Sequence, residues 1–482
     1  MNQSAFEREA LRQHAEQQRG QFEDLLKRFV EVPSVSMEPE RQPEIQKMAD
    51  LACETLRSFG AEARLIPTKG NPIIHARYAV DPAAPTITIY NHMDVQPGGA
   101  KEEWKTEPFV FTKEGDTYFG RGTTDDKGPA LSALFGAKYA IDHGAKVNVS
   151  FLWELEEEIG SPSFEAGIAA EAGALRTDAV VVSDTVWISR ARPACPSGLR
   201  GLQGFTLHLE TAGTDQHSGT AGGAARNPIA ELMGVICQCF DPVTGKVKIK
   251  GFYDDVVALS RDEAEMFKKC GFSVAQFKKD HGFKSLRVNQ PLEVMKRIWA
   301  GPTFEVHGVV GGYQGPGVKT IIPPRGEVKV TCRLVPNQDP KKIVKLIVSH
   351  VKKLNKDVVV KLEGTLAPYR GMTQGPFADA IRGAMKFAFG KEPVFVREGG
   401  SIGAVVTMED VLECPVGFLG LSLPEHGYHA PNENYDWQQA AGGMAAFARL
   451  FEQVARLSSA QLKSVPKPAK AKGAAKKKRK SS

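Results

Sequence analysis

The chain has 482 residues, more than one hydrophobic core usually supports, so two or more domains are expected. Hydrophobic residues at 42% and charged ones at 24% describe an ordinary globular composition, and no apolar run approaches the length of a membrane span. The formal charge of +6 is concentrated at one end: nine of the 62 Lys and Arg residues lie from Lys463 onward with no acid among them, leaving 53 bases against 56 acids elsewhere.

The chain opens MNQSAFEREALRQHAEQQRG, a charged helical pattern without the apolar core of a signal peptide, so an intracellular, cytoplasmic protein is expected. Residues 86–90 (TITIY) read as a strand that breaks into Asn91, His92, Met93 and Asp94, placing an imidazole and a carboxylate two apart just past its end. GRGTTDDKGP follows at 120–129. Its glycines mark a loop, and Pro129 opens the helical stretch ALSALFGAKYAIDH, so Asp125 and Asp126 fall in the turn before a helix. VNVSFLWELEEEIGS reads as a strand ending in Glu154, Glu156, Glu157 and Glu158, and AVVVSDT as a strand leading into Asp184. In an open, mostly parallel sheet, ligands gather beyond the carboxyl ends of the strands. Four acidic or imidazole clusters so placed point to one pocket, of the kind a two-metal hydrolase needs.

Near Arg200 the strand–helix alternation gives way to a different texture. Between Gly204 and about Leu366 come a strand (FTLHLET), a Gly-rich stretch (HSGTAGGAARN), a helix (PIAELMGVICQCF) and a polar region over 241–300 without informative pattern. Strands FEVHGVV and EVKVTCRLVP, helix DPKKIVKLIVSHVKKL and strand DVVVKLEG complete a β-α-β-β-α-β order, the ferredoxin-like plan. After Pro376 the α/β texture returns with helix FADAIRGAMKFAFG, strand PVGFLGL and a helix over 436–457. The expected architecture is therefore a catalytic α/β domain (1–199 and 375–460) interrupted by an inserted lid (200–374), with a basic tail over 461–482. That Lys/Ala/Pro tail cannot bury a core and is expected to be disordered. A nuclear address through Lys476 to Lys480 or a nucleic-acid or other polyanion tether is its functional reading, a solubilising segment its plain one.

Taken singly, His92 with Asp94 fits a turn or cap, and Asp125 or Asp126 a helix N-cap. Three adjacent carboxylates at 156–158 are harder to place without a cation, because they repel one another, and Asp184 in an apolar setting is costly unpaired. LPEHGYHAPNENYDW adds His426 and His429 in a loop. His14, His75, His143, His281 and His350 have no accompanying chemistry and read as structural or solvated. The seven cysteines are scattered and contain no CxxC pair, which argues for reduced thiols and for a metal held by oxygen and nitrogen.

The strings HMDVQP, WKTEPF, YFGRGTTDDKGP, EEIGS, VSDTVW, DQHSGTAGG, KTIIP, RLVPNQDP, REGGSIG and HAPNE, in this order, resemble the M20 family of di-zinc or di-manganese peptidases, in particular its non-specific dipeptidase and carnosinase branch. The resemblance spans about residues 20–457. It implies a zinc-peptidase-like catalytic domain with a lid that also dimerises, and two divalent ions, Zn2+ or Mn2+, per subunit. One ion would be held by His92, Asp125 and Asp184, the other by Asp125, Glu158 and His429, with Asp94 supporting the His92 ring and Glu157 acting as general base. His217 would reach the partner subunit's site to stabilise the oxyanion, while Thr320, Arg333 and Ser401 would grip a substrate carboxylate. The implied activity is hydrolysis of dipeptides with a free C-terminal carboxylate by a homodimer. An N-acyl amino acid deacylase using the same two ions is the alternative, and a non-enzymatic scaffold a third reading that the filled metal and base positions oppose.

Overall fold

A computed structural model describes residues 3–464; of the basic tail expected to be disordered over 461–482, Gln461 and Leu462 instead close a short helix, Ser459–Leu462, with Leu462 buried, and the residues beyond 464 lie outside those described. Helices α1 (Arg8–Val30) and α2 (Gln42–Ser58) precede strands β1 (Glu62–Ile66), β2 (Ile73–Tyr78) and β3 (Thr86–His92). Helix α3 (Gly128–Asp142), β4 (Asn148–Glu154) and β5 (Ala179–Val182) follow. These strands, with a last one at Val416–Phe418, form a six-stranded sheet in the order β1-β2-β4-β3-β5-(416–418). The pairings around β3 and β5 are parallel, and β1 and β2 add an antiparallel edge.

The parallel strands are covered on both faces, which is why they read as unbroken apolar runs and not as alternating ones. Ile87 and Ile89 pack on the side of α1, α3 and the helix Trp437–Val454, whereas Tyr90, Val180 and Val182 face the side that holds the helix Gly403–Leu412. Helix α3 is apolar all round, the expected pattern for a helix sandwiched between sheet and outer helix.

Beyond residue 200 the chain builds a second, four-stranded antiparallel sheet from β6 (Gly201–Glu210), β7 (Glu305–Val310), β8 (Arg325–Leu334) and β9 (Val359–Leu366), in the order β7-β8-β6-β9. Helices Pro228–Cys239 and Pro340–Leu354 contribute Leu232, Val235, Ile343 and Ile347 to the core beneath it. The β-α-β-β-α-β order expected from sequence is the order observed. The region 241–300 is not patternless, however. It holds helices Arg261–Lys269, Val274–Asp280 and Pro291–Met295, short and separated by loops, so none offers a full amphipathic repeat to sequence reading. Among the described residues, no helix is long and apolar enough to cross a membrane.

Candidate metal centre

His92 lies inside β3, as its last residue, and is fully buried; the strand runs two residues further than TITIY alone suggests. Parallel pairing with β4 sets His92 opposite Glu154, and the chain leaving β4 turns at once into the acidic run. Pairing with β5 brings Asp184, two residues beyond that strand, to the same end of the sheet. Asp125 enters from the turn Thr123–Lys127 ahead of α3, where Gly122 takes a positive φ of 86° that a side chain would resist.

These elements converge on Asp125. Its Oδ1 lies 2.9 Å from His92 Nε2 and its Oδ2 3.0 Å from His429 Nε2, so each oxygen faces a different imidazole. His429 Nε2 is 3.4 Å from Glu158 Oε2, and His92 Nε2 is 3.9 Å from Asp184 Oδ2. Ligand atoms of His92, Asp125 and Glu158, and likewise of His92, Glu157 and Asp184, all lie within 4.8 Å of one another. Of the three neighbouring acids, only Glu157 and Glu158 belong to these groups. Glu156 turns away, accepting the backbone N–H of Asn71 at 2.7 Å and of Ser163 at 2.9 Å.

Electrostatics show what the cluster lacks. Burial, then the neighbouring charges of Asp125 and others, pushes the Glu158 carboxyl up to about 8, and burial raises Glu157 and Asp184 as well. Burial would raise Asp125 too, but the hydrogen bonds from His429 and His92 outweigh it and hold that carboxyl below its usual range. Carboxylates gathered this closely, with His92, Asp125 and Asp184 buried, are a poor arrangement by themselves and a good one around cations. Oxygen and nitrogen donors of this kind suit a hard or borderline divalent ion.

Asp94 has a wider role than support of one ring. Its Oδ1 is 3.4 Å from His92 Nδ1, whose nearer neighbour is the backbone oxygen of Asp94 at 2.9 Å. The carboxylate accepts the backbone N–H of Glu157 at 3.2 Å, that of Glu158 at 3.1 Å and the hydroxyl of Ser36 at 2.6 Å.

Several supporting residues have no signature at sequence level. Buried Glu433 accepts the N–H groups of Gly122, Thr124 and Asp125 and the guanidinium of Arg121, fixing the turn that presents Asp125. The HAPNE string contains it, but a single Glu in a loop carries no pattern. Tyr428 donates to Asp184 Oδ1 at 2.6 Å, and Asn91 donates to Asp126 at 2.7 Å. His426 is buried between Thr124 and Asp436, within 3.0 Å of each, a structural position unlike that of His429. Glu398 is held up at about 8 by burial and the charge of Asp184, and its Oε2 has no hydrogen-bond partner among the described residues.

The remaining expected site residues fall in two places. Arg333, on β8, donates to Ser401 Oγ at 2.9 Å, tying the four-stranded sheet to the loop that follows Glu398. His217 and Thr320 sit together at an exposed position: Ser218, next to His217, donates its N–H to the Thr320 carbonyl at 3.0 Å, and among the described residues neither makes a hydrogen bond or ion pair with the acidic cluster.

Comparison with known proteins gives the same direction. Residues 88–453 match the model of Peptidase family M20/M25/M40. The chain is 29% identical to the Beta-Ala-His dipeptidase of Rattus norvegicus, over 94% of this chain and 96% of that one. It is 30% identical to the Cys-Gly metallodipeptidase of Schizosaccharomyces pombe, over 92% and 97%. Among solved structures, an M20 family metallo-carboxypeptidase of Sulfolobus solfataricus superposes with a TM-score of 0.84 at 32% identity, covering 90% of this chain and 98% of that one. Human carnosine dipeptidase 1 superposes with a TM-score of 0.81 at 28% identity, covering 93% and 99%.

Proposed function

We propose that this chain, which belongs to peptidase family M20/M25/M40, is a metallodipeptidase hydrolysing the peptide bond of dipeptides with a free C-terminal carboxylate. The observation that carries the reading is Asp125 with its two oxygens turned to His92 and His429, so that its carboxylate could be shared by two cations. His92, Asp125 and Asp184 would hold one divalent ion, and Asp125, Glu158 and His429 the other, Zn2+ or Mn2+. When bound, such ions lower the pKa of water and polarise a carbonyl.

The chain's own groups supply the rest. Glu157 lies among the ligands without belonging to either assigned set, so its carboxylate takes the proton from the attacking water and returns it to the leaving amine. Arg333 and Ser401 would hold the substrate's terminal carboxylate, since a guanidinium fork can donate two parallel hydrogen bonds. The shielded, unpartnered Oε2 of half-buried Glu398 suits the substrate's ammonium group. His217 and Thr320, exposed and without a hydrogen bond or ion pair to their own cluster among the described residues, would serve the site of a second copy, His217 stabilising the oxyanion there. A homodimer through the lid, taken as 200–374, is supported by the edge strands β7 and β9, which expose Val309, Val310, Val359 and Leu362.

Protein stripped by a chelator and reloaded with zinc or manganese should hydrolyse members of a dipeptide panel. Turnover of acetylated or succinylated amino acids with none of any dipeptide would replace this reading by a deacylase.

A further inference from the structure

Behind the Arg333–Ser401 contact lies a cavity of 1190 Å³, walled by the lid sheet and by the 244–303 segment that the sequence reading left without a role. Six basic side chains line it, Arg200, Lys246, Arg287, Lys296, Arg297 and Arg333, against one acid, Glu305. Two of the six have carboxylate partners. Lys296 pairs with Glu293 at 2.7 Å, and Arg287 with Glu305 at 3.8 Å. Among the described residues, no carboxylate lies within ion-pairing distance of Arg200, Arg333, Arg297 or Lys246.

Arg200 is the informative member. Its half-buried guanidinium donates only to main-chain oxygens, that of Gly399 at 3.0 Å and that of Arg297 at 3.4 Å. Its own carbonyl accepts the hydroxyl of Ser401, so the residue is tied to the loop that meets Arg333. Burial, with Arg333 nearby, pushes the Arg200 guanidinium down to about 10, and burial also lowers Arg333. Two half-buried cations facing one cavity, whose single acid Glu305 pairs with Arg287 and with neither of them, are unfavourable until an anion joins them.

We infer that this cavity is a subsite for a second substrate carboxylate, so that the preferred dipeptides end in glutamate or aspartate, with Arg200 holding the acidic side chain. The inference rests on the dipeptidase reading and on Arg333 taking the terminal carboxylate. Glutamate and aspartate carry a second carboxylate only a few bonds from the first, which suits a cavity lined by both Arg200 and Arg333. Lys246, exposed at the cavity's lip, adds long-range attraction that salt should weaken.

The test compares Ala-Glu with its neutral isostere Ala-Gln and with Ala-Leu on the metal-loaded enzyme. The expected kcat/KM for Ala-Glu exceeds that for Ala-Gln by about tenfold or more, as hydrogen bonds to charged groups allow. Arg200→Met should bring the two within about threefold of each other, chiefly through KM for Ala-Glu, because a carboxylate remote from the scissile bond binds alike in ground and transition states. Lys246→Gln, at a surface position that does not threaten folding, should narrow the ratio and reduce its dependence on salt. Equal turnover of Ala-Glu and Ala-Gln, or an unaltered ratio in either variant, would overturn the inference while leaving a dipeptidase. No turnover of any of the three peptides would remove both readings.

Discussion

Asp94 Oδ1 accepts the backbone N–H of Glu157 at 3.2 Å and lies 3.4 Å from His92 Nδ1, so one carboxylate steadies both the His92 imidazole and the acidic turn beside it. Asp94→Ala should therefore do more than loosen one ligand. Metal affinity is expected to fall by about ten- to a hundredfold, the usual effect of removing a group that orients ligands, and kcat should stay depressed when metal is restored to saturation. Metal titration followed by kinetics at saturation checks this; full recovery of kcat would confine Asp94 to holding His92.

Glu157→Ala separates base from ligand. With both assigned ligand sets intact, metal content should remain near that of the unaltered protein while kcat falls by about 10²–10⁴. Elemental analysis and turnover on the same sample decide it, since equal loss of metal and activity would make Glu157 a ligand.

His217→Ala, at an exposed position, should abolish activity by itself. Mixed with inactive Glu157→Ala protein, it should regain activity, because hybrid dimers pair an intact cluster with an intact His217. Absence of recovery under conditions where subunits exchange would place His217 outside the reaction.

His75 supplies a pH effect remote from the centre. Its buried ring, 3.0 Å from Ser150 Oγ, is pushed down to about 4 by burial and then by Arg64 and Arg77. The unfolded chain takes up this proton near pH 6.5, so the contribution is complete above 6.5 and is lost as pH falls toward 4. Its size is on the order of 2–3 kcal/mol. His75→Gln, which can keep the Ser150 contact, should flatten that loss in denaturant unfolding of metal-free protein between pH 7 and pH 4.5. Parallel curves for both proteins would contradict it.

The parts of the fold legible in sequence are those with a strong local period or a motif. Strands β3, β4 and β5 are continuous apolar runs because both faces are covered, and their ends carry the acids, so the position of His92, Glu158 and Asp184 could be read before the sheet was seen. The roles of Glu433 and Glu398 could not. Each is a lone carboxylate whose meaning depends on residues hundreds of positions away, such as Arg121 for Glu433. The meeting of Arg200 and Arg333 at one cavity was hidden in the same way, and the short helices of 261–295 lacked the length for a period to show.

The most direct measurement of the two-cation dipeptidase is a titration of fully stripped protein with manganese or zinc while dipeptide hydrolysis is followed. Activity should be absent at the start, rise with added metal and level off at two ions per chain, the count set by Asp125 facing both His92 and His429. Hydrolysis that persists after stripping, or that saturates at one ion per chain, would contradict it.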